Sequence, residues 1–220
     1  MNWMTLADAP SAAIVFGGTA VAATMRCGWR DGAAAIRSVA HLWQPGFDAE
    51  HARAGLAVQV QGIVKDGLLR AQPHHSGDAE FDEATDAMLE RRSVGALLAS
   101  HEGHRKRRLA VSTRAVRFLA QAAELAPVFG LVGTLVSLSQ LPGEGIAKGA
   151  MTGAISMAVV TTLYGLLLAN LILAPLARMV ERAAEAEEEG RQDLTDWLAT
   201  QIETAAPKPR KPVPAALAAA

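Results

Sequence analysis

The sequence predicts an all-α integral membrane protein with three transmembrane helices, a helical cytoplasmic insert and long helices continuing into the cytoplasm. Three observations carry this. Half of the 220 residues are hydrophobic although only 5% are aromatic, so Ala, Gly and small aliphatic residues make up the apolar content. Charge is segregated: no Asp, Glu, Lys or Arg occurs from Leu125 to Pro142 or from Gly149 to Ala177. A hydrocarbon core of about 30 Å needs about 20 helical residues, so the second run spans comfortably and the first does so once the turn before Leu125 is added. Third, basic residues lie almost entirely on one side of these runs.

The spans come first. With no water in the lipid core, backbone polar groups must be satisfied within the segment, which makes helices the solution for both runs. Buried helices of a soluble protein are the competing reading, better suited to apolar runs of about 10–14 residues than to these. A shorter uncharged stretch, Ala9 to Met25, is richer in Gly and Ala and is read as the first of three spans. No basic segment precedes it, which argues against a cleaved signal peptide. Of 21 Lys and Arg residues, 14 lie from Arg26 to Arg117 and six after Ala177, leaving Lys148 alone between the last two spans. The positive-inside rule then puts the insert and the C-terminus in the cytoplasm, and the Pro142–Lys148 connection outside.

Between the spans the pattern is helical. Apolar residues at Ile36, Val39, Ala40 and Trp43 predict a helix over 31–43, ended by Pro45 and Gly46. Two further helices are expected over 48–70 and 78–100, separated by the polar cluster 72–77. From Arg105 the basic run Arg105, Lys106, Arg107 and Arg108 leads without a breaker into the second span, as one long helix with a headgroup-facing flank. Residues 178–204 alternate acidic and basic side chains at helical spacing and extend the last span. The Pro/Ala-rich tail from Ala206 is read as disordered. The domains expected are therefore 1–27, 28–115, 116–177, 178–205 and the tail 206–220.

Little in the sequence speaks for an enzyme or a cofactor. There is no nucleotide-binding glycine loop, catalytic triad or metalloprotease motif, and nothing points to nucleic acid. Cys27 stands alone and reads as a small apolar residue at a helix end. The pairs His74/His75 and His101/His104 lack the Cys or carboxylate company of a metal site and read as solvated loop histidines.

Sidedness within the last two spans is more informative. Ala154, Ala158, Thr162, Gly165 and Ala169 share one helix face, small and smooth, with Thr162 its one polar group. In the preceding span Pro127, Gly130, Thr134 and Ser137 form another stripe, with Gly133 beside it. Small residues allow close helix packing, and hydroxyls can bond across it or back to their own helix. The same hydroxyls could instead line an ion path, and composition leaves both readings open. Such a path needs an ionisable group, costly in lipid and kept for function. Glu124, at the cytoplasmic end of the second span, is the one acid available, so a central carboxylate would come from a partner helix.

The segments Ala126-Pro127-Val128-Phe129-Gly130-Leu131-Val132-Gly133-Thr134-Leu135 and Met157-Ala158-Val159-Val160-Thr161-Thr162-Leu163-Tyr164-Gly165, with Ala169-Asn170 and Pro175, resemble the MotA/TolQ/ExbB proton channel family. Thr161 to Gly165 is most similar to the MotA branch, since other branches usually carry Ala before the matching Thr. Pro10 to Thr19 resembles that branch's helix before the cytoplasmic domain. The resemblance implies a flagellar stator subunit: a homo-pentamer around a MotB-like partner whose membrane aspartate carries the proton or sodium ion, turning ion flow into torque on a rotor switch-complex protein. It implies that Thr134 and Thr162 face that aspartate, with Ser137 and Thr161 in the same lining. Pro127 and Pro175, with Gly130, Gly133 and Gly165, match positions coupling ion flow to movement, and Glu124 matches an ion entry or exit position. Lys65, Asp66, Arg91 and Arg92 are candidate rotor-facing charges. The family's first helix has no counterpart in this sequence, Ser137 stands where Gly is usual, and Gln72 falls near an expected glutamate. A TolQ- or ExbB-like energiser of an envelope protein and a non-conducting structural subunit are the alternatives.

Overall fold

The computed structural model describes residues 9–66, 77–140 and 148–205, and every regular element among them is helical. Helix α1 (Ala9–Ala12) passes through a π-helical turn (Ala13–Gly17) into α2 (Gly18–Cys27). There follow α3 (Trp29–His41), α4 (Ala49–Asp66), α5 (Ala79–Arg91), α6 (Val94–Ser139), α7 (Lys148–Leu167), a second π-helical stretch (Leu168–Leu173) and α8 (Ala174–Ala205). The all-helical fold expected from the sequence is what forms. Two helical stretches are long and apolar enough to cross a membrane, Val94–Ser139 and Met151–Thr204. The third expected span is helical from Ala9 to Cys27 but falls short of these two in apolar length. The expected Pro142–Lys148 connection, the polar 72–77 loop with Gln72, His74 and His75, and the tail from Ala206 lie wholly or mostly outside the described residues.

Contacts divide the chain into two compact units, one of residues 1–46 and 107–187, the other of 47–106 and 188–220. In the first, Ala34 and Ala35 of α3 pack with Ala115 and Leu119 of α6 and with Ala177 and Val180 of α8. Asp31, buried on α3, receives the Arg117 guanidinium of α6 as an ion pair. A second cluster joins Val15 to Ala126, Leu168 and Ala169, with Tyr164 against it. Much of this unit's outer surface is aliphatic: Val21, Leu131, Leu135, Val159 and Leu171 are all exposed. Large aliphatic side chains facing outward are unfavourable in water and neutral in hydrocarbon, which accords with the runs that carry them.

The second unit has an inward-facing core of Leu56, Val60, Ile63, Phe81, Met88, Leu97, Leu194, Leu198 and Ile202. Inside it lies a charge. Arg191 of α8 is buried, its guanidinium 4.2 Å from the Phe47 ring centroid and 5.8 Å from that of Phe81. It forms ion pairs with Asp78 at 3.0 Å and Glu80 at 3.5 Å. A planar, weakly hydrated guanidinium is the cation suited to such a site. Asp78 also caps α5, accepting from the backbone N–H groups of Glu80 at 3.0 Å and Phe81 at 3.2 Å. Asp78→Ala is therefore expected to lose about 1 kcal/mol of capping and a further ~1–3 kcal/mol of ion pairing. Asp78→Asn should recover the first part alone. Amide hydrogen exchange along α5 in the full chain checks both, and equal protection in the two variants would contradict the double role.

Two expectations need correction. The helix expected over 78–100 is broken: Arg92 takes a left-handed conformation (φ 53°), Ser93 N–H bonds back to the Met88 carbonyl, and α6 begins at Val94. No Gly or Pro announces this stop. Ser93 supplies the restart, its Oγ accepting from Gly95 N–H at 3.2 Å, as an N-cap serine does. Helix α6 thus begins well before the basic run at Arg105. The second correction concerns His101 and His104, which sit on α6 rather than in a solvated loop. His101 is buried against Phe81, ring centroids 6.1 Å apart, and His104 Nε2 lies 3.2 Å from a Glu83 carboxylate oxygen.

Candidate functional site

The site is built where α6 and α7 touch. Gly130 and Gly133 on α6 and Gly165 on α7 leave no room for a side chain at the crossing. A Cβ on Gly165 would lie 2.7 Å from the Ala126 carbonyl oxygen, 3.1 Å from Gly130 Cα and 3.2 Å from Pro127 Cα. A Cβ on Gly130 would meet the Thr161 carbonyl oxygen at 3.1 Å and Thr162 Cα at 3.3 Å. One on Gly133 would fall 2.7 Å from both Cβ and Cγ2 of Thr161. At these glycines the two helices pack backbone against backbone, the arrangement small residues permit between apolar helices, with Thr161, outside the small face expected on this span, enclosed against Gly133.

This crossing sorts the four hydroxyls into two kinds. Thr161 is 0% exposed and Ser137 is 1% exposed. Thr161 Oγ1 donates to the Ala158 carbonyl at 2.9 Å and lies 3.1 Å from that of Met157, while Ser137 Oγ donates to the Gly133 carbonyl at 2.8 Å. Both are enclosed and satisfied within the helix pair. Thr134 and Thr162 are only half-buried. Thr134 Oγ1 donates to Leu131 at 2.7 Å and Thr162 Oγ1 to Ala158 at 3.2 Å, again within their own helices. A threonine whose proton is bound to its own helix keeps oxygen lone pairs for an outside group. On Thr134 and Thr162 those lone pairs lie on a partly open surface, where they can accept from water or a protonated group, or ligate a cation.

One of the two prolines lies at the crossing, the other further along the second helical run. Pro127 sits inside α6, which continues past it, and its Cα is part of the wall facing Gly165. Pro175 is the second residue of α8, directly after the π-helical stretch Leu168–Leu173. Proline withdraws a backbone donor and π-helical turns relieve the resulting mismatch, so the chain here is locally irregular in two successive ways. Asn170, quoted for its motif but given no role from sequence, stands exposed within this stretch and donates to the Leu166 carbonyl at 3.0 Å. A polar side chain in an otherwise apolar run was the available signal.

The N-terminal helix also packs closely on this pair: a Cβ on Gly18 of α2 would meet the Phe129 ring at 2.3–2.9 Å, and the rings of Phe16, in the π-helical turn before it, and Tyr164 lie 6.4 Å apart. Glu124 is exposed on α6 and accepts a hydrogen bond from the Gln121 amide at 3.1 Å. The candidate rotor-facing residues belong to the other unit: Lys65 is exposed near the end of α4, which Asp66 closes, and Arg91 and Arg92 are exposed at the break before α6. No group of His, Cys, Asp and Glu among the described residues could hold a metal ion.

Residues 69–193 match the sequence model of the MotA/TolQ/ExbB proton channel family. Among individual relatives, the chain is 42% identical over 60 residues to Motility protein A of Borreliella burgdorferi, covering 27% of this chain and 23% of that protein. It is 35% identical over 108 residues to the uncharacterized protein YtxD of Bacillus subtilis, covering 49% and 35%. To Motility protein A of Aquifex aeolicus it is 37% identical over 65 residues, covering 30% and 26%. The matched stretches thus take in about a third or less of these relatives' own length. In three dimensions the fold is similar to a chain of the C. jejuni MotAB structure, with a TM-score of 0.81 at 19% identity, over 94% of this chain and 82% of that one. The flagellar MotAB stator complex from Bacillus subtilis gives a TM-score of 0.78 at 17% identity, over 92% and 81%.

Proposed function

We propose, starting from the fact that this chain belongs to the MotA/TolQ/ExbB proton channel family, that it is the channel-wall subunit of a flagellar stator in the bacterial inner membrane. In this reading it assembles as a homo-oligomer, a pentamer by resemblance, around a MotB-like partner. Residues 28–115 and the helix after Ala177 lie on the cytoplasmic side, in keeping with the distribution of Lys and Arg. It is not an enzyme.

The observation that carries this reading is the pairing of a glycine-lined crossing with two half-open hydroxyls, Thr134 and Thr162, within the uncharged stretches Leu125–Pro142 and Gly149–Ala177. An ion crossing lipid needs a group that takes it up, and polar residues at that depth are retained for such work. This chain has no Asp or Glu between Leu125 and Pro142 or between Gly149 and Ala177, so the transported ion rides on a partner's carboxylate while the hydroxyls replace water around it. Pro127 and Pro175 support a coupled movement, because each removes a backbone hydrogen bond at a place where a helix can bend. Lys65, Asp66, Arg91 and Arg92 are the charges proposed to meet a rotor protein.

Expression of the chain with its MotB-like partner should restore swimming to a stator-deficient bacterium. Pro175→Ala in the same background should leave the protein in the membrane and impair swimming severely. Motility indifferent to this change would remove the coupling role, and no rescue by the unaltered pair would remove the flagellar reading in favour of an envelope energiser.

A further inference from the structure

One face in the first unit is used by nothing above. Gly28, at φ 95°, ends α2 in a conformation that side-chain-bearing residues rarely adopt, and α3 starts immediately after it. The inner face of α3 is fully engaged: Asp31 pairs with Arg117, Gly32 sits beneath the Phe118 ring, and Ala34 and Ala35 join the apolar cluster with α6 and α8. The opposite face is bare. Trp29 is 79% exposed, Ile36 74%, and Trp43, just past the helix end, 89%. These residues recur every seven positions, so Trp29 and Ile36 lie one above the other on α3, with Trp43 continuing the line. Arg30 and Arg37 follow each of the first two by one position and are likewise exposed, and exposed Arg26 closes α2 just before. Arg37 Nε donates to the Ala33 carbonyl at 3.2 Å, and among the described residues no carboxylate pairs with any of the three.

We propose that α3 lies in the plane of the membrane surface and binds anionic phospholipid headgroups, with Trp29, Ile36 and Trp43 entering the acyl boundary and Arg30 and Arg37 taking the phosphates. The chemistry selects this occupant. Indole is the side chain best suited to the boundary between hydrocarbon and headgroup, and an apolar stripe edged by arginines is the pattern of an interfacial helix. A protein partner for this stripe would have to supply carboxylates along one edge. An anionic leaflet presents them as phosphates everywhere, immediately beside a membrane span. Ala34 and Ala35 pack α3 against Ala115 and Leu119 of α6 and Ala177 and Val180 of α8, beside the ends of the two uncharged runs, and this holds the stripe at the depth where those spans end. The inference rests on the membrane reading of this unit and adds a ligand class to it.

Tryptophan quenching by brominated lipid tests it. The full chain, with Trp3→Phe and Trp197→Phe so that Trp29 and Trp43 report alone, is reconstituted into phosphatidylcholine nanodiscs. These contain a minor fraction of brominated phosphatidylglycerol or, in parallel, of brominated phosphatidylcholine. Each arginine near a charged leaflet favours the anionic lipid by about fivefold, so phosphatidylglycerol should quench at least about fivefold more effectively per molecule. In Arg30→Gln/Arg37→Gln the two lipids should become nearly equal while quenching by phosphatidylcholine persists, since both arginines are exposed and make no core contact. Equal quenching in the unaltered arginine background overturns the proposal. So does protection from both lipids together with cross-linking of Trp29→Cys to a second copy, which would make this face a subunit interface. Release of the chain from membranes by alkaline carbonate would instead overturn the membrane reading itself, a result separable from either.

Discussion

Gly165→Val should abolish swimming in cells carrying the chain and its partner, and should lower the amount of folded protein in the membrane. The reason is the atom a side chain would strike. At Gly165 the obstacle is the backbone itself, the Ala126 carbonyl oxygen at 2.7 Å with Gly130 Cα just beyond, and backbone cannot rotate aside. Forcing extra methyl or methylene groups into a close core costs about 1–3 kcal/mol and more where nothing yields, so Gly165→Ala should already be harmful and Val worse. Gly133→Ala is expected to fall between. Its obstacle is the Thr161 side chain, but that residue is β-branched and completely enclosed, so it has few alternative rotamers. Gly153→Ala on the same helix α7 meets nothing within 4 Å and should be neutral or slightly stabilising through helix propensity. Immunoblotting of membranes and swimming on soft agar measure both quantities, and a Gly165→Val strain with normal protein and motility would show that the two helices do not cross as described.

The helices of this crossing, though not the crossing itself, are legible in the sequence for a physical reason. Lipid-spanning helices announce themselves by run length and lack of charge, both properties of composition, and α6 and α7 lie where those runs are. Gly130, Gly133 and Gly165 could be placed because helical periodicity fixes which residues share a face. That pattern could not say which hydroxyls a neighbouring helix would cover. Thr161 and Thr162 are adjacent, about 100° apart around α7, and only the crossing decides that Thr161 is enclosed against Gly133 while Thr162 stays half-open.

The other unit was harder to read for a different reason. Arg191 is one charge in a run of alternating acids and bases, which has the look of a solvated helix face. Its burial depends on Phe47 and Phe81, which lie more than a hundred residues earlier, closing over it. His101 and His104 gave the same false impression, since their partners Phe81, Glu80 and Glu83 come from α5. The stop at Arg92 was hidden as well: a left-handed arginine costs about 1–2 kcal/mol and stands where Gly or Asn would announce a helix end, the turn being closed by the hydrogen bond from Ser93 N–H to the Met88 carbonyl. Local pattern thus sufficed where the environment is uniform lipid, and failed where a small polar core is assembled from distant segments.

Thr162→Val and Thr161→Val should therefore behave very differently although they remove the same hydroxyl one residue apart. Valine keeps the shape of threonine, so neither change disturbs the packing at Gly130 and Gly133. At Thr161 the lost hydrogen bonds run to carbonyls of its own helix, which retain their backbone partners, and no outside group reaches the site. Ion flow should stay within about fivefold of the unaltered protein, because the net worth of one such bond is about 1 kcal/mol or less. At Thr162 the oxygen lone pairs face a partly open surface, and a passing ion that loses one polar contact in a dry site forfeits about 1.4–2.7 kcal/mol, or roughly tenfold to a hundredfold in rate. Thr134→Val should resemble Thr162→Val, Ser137→Ala should resemble Thr161→Val, and Thr162→Ser should restore most of the flow because it returns the oxygen without the methyl. The measurement is the rate of partner-dependent proton or sodium leak into cells whose MotB-like partner lacks its plug, read by intracellular pH or membrane potential. Equal loss from Thr161→Val and Thr162→Val would mean that both hydroxyls act through helix packing, and the half-open pair would then have no claim to the ion.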